Sequence, residues 1–192
     1  MIDKLTNTEL EEGHERFRKE EGRYSFYDMA HALMQKGFKT EGRLLLLAGW
    51  NGAWFSKVAR DFKIEEFEDL MDNCEPLFAK LNGKKLEDLN ISEVESGIKG
   101  IYEKLANCNA IKYTGASKLM SLEIPELFVM WDMAIRERYG IRGQDSKNYI
   151  EFLNRVKDAT KDVVWGGDKT GVPLAKAIDE YNYVTITLGI DL

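Results

Sequence analysis

The chain has few of the residues that build disulfide frameworks and metal sites. Its 192 residues include two cysteines, Cys74 and Cys108, and two histidines, His14 and His31. Two cysteines are too few for a disulfide framework, a zinc site or an iron–sulfur cluster made from cysteine alone. The histidines fall in separate predicted helices without the spacing of metal ligands. We therefore expect neither a metal nor a cofactor.

Long hydrophobic runs and positive charge are also scarce. The longest apolar run, from Leu44 to Trp50, is far shorter than the roughly 20 residues that a membrane span needs. The first residues lack the basic and apolar regions of a signal peptide. We expect a cytoplasmic protein with no membrane partner. The formal net charge is −6, so a surface for nucleic acid would have to be local.

Proline is rare, with three residues, and alternating apolar patterns are rare too, which together predict a mainly α protein. Apolar residues recur at steps of three and four from Ile64 to Leu81, as in an amphipathic helix. Other helices are expected over 24–35, over 41–58 with a break at Gly49 and Gly52, and from about Ala116 and Asp145. Capping boxes are predicted at Thr8–Glu11 and Ser92–Glu95, and a loop is predicted at 166–168. In the tail from residue 184, apolar and polar residues alternate as in a strand, so the choice between helix and strand stays open there.

Two charged residues lie in apolar surroundings and are the strongest candidates for chemistry. Lys118 follows the small-residue stretch 113–117, and Asp132 lies between Trp131 and Met133. Burial lowers the pKa of a lysine, and a neutral amine can attack an electrophilic carbon to form a Schiff base. An aspartate at a helix N-terminus is held rigidly and kept ionised. The structural alternative stays open: an N-cap and a lysine whose stem packs while its amine reaches water.

An aromatic cluster at 49–55 is the second feature of interest. Gly49 and Gly52 flank Trp50 and Asn51, and such a bend could present those two side chains to a pocket. An aromatic surface of this kind can stack on a nucleobase. Aromatic residues at this density are also typical of a core, so both interpretations stand.

The segment 113–139 resembles the signature of the helix-hairpin-helix DNA glycosylase superfamily. In that signature a glycine-containing hairpin precedes a lysine, and two apolar residues and an aspartate precede a further helix. Lys118 matches the Schiff-base lysine and Asp132 the catalytic aspartate. The stretch 119–132 is most similar to the archaeal oxidised-guanine glycosylases and to related uncharacterised archaeal and phage-type proteins. The resemblance implies a hairpin over 113–117, in which Thr114, Gly115, Ala116 and Ser117 bind DNA.

This resemblance implies a helical domain over 1–192 in two lobes, with the cleft near 50–54 and 113–136. It implies a DNA-repair glycosylase that excises a damaged base with lyase chemistry, with Trp50, Asn51 and Trp131 in the substrate pocket. Two other hypotheses remain. Because the hairpin has a single glycine and the net charge is −6, the chain could be a non-catalytic helical module that binds a protein or nucleic-acid partner. It could also be a small-molecule enzyme with a Lys–Asp pair.

Overall fold

A computed structural model describes residues 4–166 and 170–192, and within these ranges the chain is helical with no strand. The prediction of a mainly α fold is therefore confirmed. None of the described helices has the length and apolar character required to cross a membrane. The helices of the described chain are α1 (Asn7–Glu20), α2 (Tyr24–Gln35), α3 (Lys39–Trp50), α4 (Gly52–Val58), α5 (Ile64–Leu81), α6 (Ile91–Asn107), α7 (Lys112–Glu123), α8 (Met133–Arg138), α9 (Ser146–Thr160) and α10 (Leu174–Asn182).

Two predicted capping boxes lie at the wrong residues. Helix α1 is capped by Thr6, whose hydroxyl accepts a hydrogen bond from the backbone N–H of Glu9, while the Glu9 carboxylate accepts one from the Thr6 backbone N–H. Helix α6 is capped by Asn90, so Ser92 lies inside the helix. Thr6 and Glu9 form a capping box two residues before the predicted one, whereas α6 is capped by the Asn90 side chain alone.

The segment from Tyr183 to Thr187 is helical rather than extended, and residues 188–192 form neither a helix nor a strand. Helix α10 continues into a π-helical turn, Tyr183–Thr187, in which Val184 is fully buried. Among the described residues there is no strand with which this segment could pair. The alternation of apolar and polar residues from 184 therefore does not lead to a strand. Of the loop predicted at 166–168, residues 167 and 168 lie outside the described residues.

The large apolar core is formed mainly by α5, α6, α7 and α9 together with the segment 124–131. A smaller cluster joins α2 and α3 to α7 through Tyr27, Leu46 and Leu122. A buried ion pair, Arg43 with Glu123 at 2.6 Å, ties α3 to the end of α7. Helix α1 packs along α10, so the beginning and the end of the described chain lie together beside the middle of α7.

Candidate functional site

A pocket opens where α1, α10 and the end of α3 meet the middle of α7. Its cavity volume is about 40 Å³, well below the roughly 300–1,000 Å³ of usual small-ligand sites. Its charged lining residues come from four parts of the chain: Glu21 and Arg23, Lys118, Asp132, and Asp179. The amine and the carboxylate singled out in the sequence therefore line the same pocket.

Lys118 lies in the middle of α7, and most of its side chain is buried. Its Nζ donates a hydrogen bond to the backbone carbonyl of Trp50. Burial lowers the pKa of Lys118 to about 8, although the nearby Asp132 and Asp179 carboxylates act in the opposite direction. A substantial neutral fraction of the amine is therefore present near neutral pH, which is the form that can act as a nucleophile.

Asp132 is the N-cap of α8, as predicted. Its Oδ1 accepts a hydrogen bond from the backbone N–H of Ile135 at 2.9 Å, and its Oδ2 accepts one from the Thr187 hydroxyl at 3.0 Å. The carboxylate is thus fixed from two directions at the edge of the pocket. A carboxylate held in this way can stabilise a positive charge that develops beside it.

Trp50 forms an apolar wall of the pocket at the end of α3. Its indole Nε1 donates to the backbone carbonyl of Arg23 at 2.9 Å. Its ring stacks on Tyr27, with centroids 5.5 Å apart, and meets Phe17 edge-on at 5.9 Å. Partners on α1, on α2 and at the junction between them therefore hold the side chain of Trp50.

Trp131 also lines the pocket, but its ring belongs chiefly to the core. It is 2% exposed and packs among Tyr102, Tyr149 and Phe152. Its backbone N–H donates to the Ser117 hydroxyl at 3.2 Å. This hydrogen bond links α7 to the segment that carries Asp132.

The predicted position of the hairpin is wrong. Thr114, Gly115, Ala116 and Ser117 lie inside α7, and the last three are buried. The turn between α6 and α7 occupies residues 108–111 instead. Gly115 allows close helix packing, because a Cβ there would lie 2.9 Å from the Asn51 amide nitrogen and 3.0 Å from the side chain of Ile111. Buried residues of this kind cannot present a backbone surface to DNA.

Asn51 does not line the pocket. Its side-chain amide donates to the backbone carbonyl of Ile111 at 3.2 Å, so it braces the end of α3 against the turn that precedes α7. The bend at 51 was anticipated from the flanking glycines, but it orients Trp50 and not Asn51 toward the pocket.

Several charged lining residues were missed in the sequence. Arg23 Nε donates to Glu21 at 2.9 Å, and Arg23 Nη2 donates to the Tyr183 hydroxyl at 2.9 Å. Burial alone would raise the pKa of Glu21, but the hydrogen bonds from Arg23 hold that pKa below its ordinary value. Asp179 is buried on α10, and burial raises its pKa.

One signal could have revealed the α10 residues. Lys176, Asp179 and Glu180 are spaced three and four apart within a segment otherwise rich in alanine and branched apolar residues, so they share a helix face. All three are almost fully buried. Among the described residues, no group of three or more His, Cys, Asp or Glu side chains is arranged to hold a metal ion.

No family model, curated protein or solved structure matches this chain in comparisons with known proteins.

Proposed function

We propose that the protein is a DNA glycosylase that excises a damaged base through Schiff-base lyase chemistry. One observation carries the proposal: the amine of Lys118 and the carboxylate of Asp132 line the same pocket. Had they been on opposite sides of the core, they could not act on one substrate. The lowered pKa of Lys118, about 8, supports the nucleophilic role, because a lysine with its ordinary pKa is almost entirely protonated at neutral pH.

In the proposed reaction a damaged nucleotide leaves the base stack, and its sugar reaches the Lys118 amine as the small pocket widens to admit it. The Lys118 nitrogen forms a bond to the sugar C1′ as the bond from C1′ to the base breaks, and the departing base takes up a proton. The nitrogen then loses a proton, and its lone pair forms the C=N bond of the Schiff base as the C1′–O4′ bond breaks and O4′ takes up a proton. Asp132 stabilises the positive charge that develops on the sugar, a role suited to its fixed orientation.

Borohydride trapping tests this proposal directly, because reduction turns the Schiff base into a stable protein–DNA adduct. A panel of duplexes, each carrying one oxidised, deaminated or alkylated base, is incubated with the protein and reductant. We expect an adduct with at least one duplex and none with Lys118→Gln. Lys104→Gln is the matched control, because Lys104 is exposed on α6, outside the pocket lining. An adduct that survives Lys118→Gln, or no adduct with any duplex, contradicts the lyase proposal.

The alternative is a non-catalytic helical module, and the two structural hydrogen bonds of Asp132 favour it. Asp132→Asn separates the two functions, because asparagine caps helices about as well as aspartate but carries no charge. A glycosylase should lose at least tenfold in excision rate with Asp132→Asn while its unfolding free energy changes little. Asp132→Ala should in addition lose about 1 kcal/mol of stability with the cap. Unchanged excision in Asp132→Asn would assign Asp132 to the cap alone.

A further inference from the structure

A second lysine lies behind the wall of the pocket and is buried more completely than Lys118. Lys176, on α10, is 2% exposed. Its Nζ donates to Asp179 Oδ2 at 2.7 Å and lies 3.7 Å from Glu180 Oε1. Burial alone would lower the pKa of Lys176, but the two carboxylates outweigh it and raise that pKa above its ordinary value. Lys176 is therefore an ammonium ion inside the protein.

Three aromatic rings surround this ammonium group. The Nζ lies 4.3 Å from the ring centroid of Tyr27, 4.9 Å from that of Trp50 and 5.1 Å from that of Phe17. Each distance is within the roughly 6 Å over which a cation is attracted to a ring, and the attraction is stronger where water is excluded. The rings belong to α1, α2 and α3, so one side chain of α10 holds three other helices.

Two partners of Lys176 are also parts of the pocket. Trp50 supplies a wall and the carbonyl that accepts the Lys118 hydrogen bond. Asp179 supplies a carboxylate that faces the same space. We propose that Lys176 is a positioning residue, whose buried ammonium group holds Trp50 and Asp179 in place around the amine of Lys118.

Stability alone does not require a cation at this position. Well-packed apolar residues can often replace a buried ion pair without loss of stability, whereas removal of one partner alone leaves a costly unpaired charge. The cation does what an apolar residue cannot, because it binds the ring faces and a carboxylate oxygen at once. It also neutralises Asp179 close to Lys118, which limits how strongly that carboxylate favours the charged form of the Lys118 amine.

The inference concerns the pocket of the proposed function, but its test uses no DNA. Competitive labelling with trace acetic anhydride, read by peptide mass spectrometry, reports the pH at which each lysine becomes reactive. In the wild type we expect Lys118 to give a midpoint near pH 8. The charged side chains near Lys118 are Asp132, which caps α8, Asp179 on α10, and Glu21 and Arg23 at the junction of α1 and α2. All four are unchanged in the variants below.

The main variant is Lys176→Met with Glu180→Gln, which removes one positive and one negative charge together and so preserves the formal charge of the cluster. Asp179 then lacks its partner, and Trp50 is held less firmly. Both changes favour protonated Lys118, so its midpoint should rise above pH 9 and its labelling at pH 8 should fall about fivefold. Lys176→Arg keeps the cation and should leave the midpoint near pH 8.

Lys157→Met is the matched control for loss of a partly buried lysine. Lys157 lies on α9, where its Nζ contacts the backbone carbonyl of Glu87 at 3.1 Å, away from the pocket lining. We expect the Lys118 midpoint to stay near pH 8 in this variant. If the double variant fails to fold, Tyr27→Leu replaces it in the test, because this substitution removes one ring beside Lys176 without changing a residue that lines the pocket. Tyr27→Leu should raise the Lys118 midpoint by less than the rise expected for the double variant.

An unshifted Lys118 midpoint in the folded double variant, or in folded Tyr27→Leu where the double variant does not fold, would overturn the positioning role. So would a shift in Lys157→Met as large as the one in the double variant. Failure of this test leaves borohydride trapping unaffected, and failure of trapping leaves the labelling result unaffected. The two proposals can therefore be judged separately.

Discussion

The state of a single amine, Lys118, determines the chemistry open to this protein. Its surroundings are apolar on several sides, and the acceptor of its hydrogen bond is a neutral backbone carbonyl. A neutral acceptor stabilises an ammonium group less than a carboxylate acceptor would. Burial therefore dominates over the two nearby carboxylates, and the pKa of Lys118 falls to about 8.

The pH dependence of trapping follows from this pKa. Below pH 8 the amine is mostly protonated and cannot attack, and above it the amine is mostly neutral. The trapping rate should therefore rise with pH, pass its midpoint near pH 8 and then level off. Asp132 raises the pKa of Lys118, so Asp132→Asn should move the midpoint to lower pH. Single-turnover trapping between pH 6 and 10 measures the midpoints of the wild type and of Asp132→Asn. A wild-type midpoint near pH 10 would contradict the proposal that Lys118 is a desolvated nucleophile.

At the scale of the element, α7 holds the site together. Lys118 projects from α7 toward the pocket, and Gly115 packs against α3. The Ser117 hydroxyl accepts a hydrogen bond from the backbone N–H of Trp131. One helix thus fixes the amine, the segment that leads to Asp132, and the distance to Trp50. The small residues before Lys118 serve this close packing.

Gly115→Ala tests the packing role. The added methyl group would displace the Asn51 amide, which lies 2.9 Å from the Cβ position, and disturb its hydrogen bond to Ile111. We expect a loss of about 1–3 kcal/mol in the free energy of unfolding. Gly97→Ala in α6 is the control, because its Cβ would meet only Leu81 at 4.0 Å, and it should gain about 0.5–1 kcal/mol from helix propensity. Urea unfolding measures the free energy of unfolding of both variants. Equal changes in Gly115→Ala and Gly97→Ala would contradict the close contact proposed for Gly115.

The helices were predictable where the pattern is local. The predicted bounds of 24–35 match α2, and the apolar spacing from Ile64 to Leu81 matches α5 despite Pro76 inside it. The cap at Asp132 was predictable for the same reason, because its partner Ile135 is three residues away. The start of α7 was placed about four residues late, because Gly115 was interpreted as part of a turn although it serves helix packing.

The pocket itself was only partly predictable. Lys118 and Asp132 stood out because charged residues in apolar runs are unusual. Asp179 and Lys176 share a helix face with Glu180, but their place beside the pocket, like that of Glu21, depends on α1 and α10 packing side by side, more than 150 residues apart in the sequence. No local pattern encodes such a contact. Asn51 was misassigned because its orientation depends on the carbonyl of Ile111, which lies 60 residues further along the chain.

At the scale of the whole molecule, the acidic balance limits how the protein can meet DNA. Non-specific affinity for DNA comes almost entirely from lysine and arginine contacts with phosphates, with Kd values typically about 10⁻⁴–10⁻⁶ M at physiological salt. A formal net charge of −6 opposes such contacts over most of the surface. If the protein is a glycosylase, its selectivity must come from the pocket rather than from general attraction to the duplex.

We therefore expect weak binding to an undamaged duplex, with a Kd above about 10⁻⁵ M at physiological salt, measured by fluorescence anisotropy. Glu65→Lys with Asp72→Lys changes two exposed residues of α5 outside the pocket lining and raises the formal net charge from −6 to −2. This variant should bind undamaged DNA at least several-fold more tightly, because repulsion falls, while the single-turnover rate of excision at saturating protein stays the same. Submicromolar wild-type binding to undamaged DNA would instead indicate a strong local basic surface and contradict a selectivity based on the pocket.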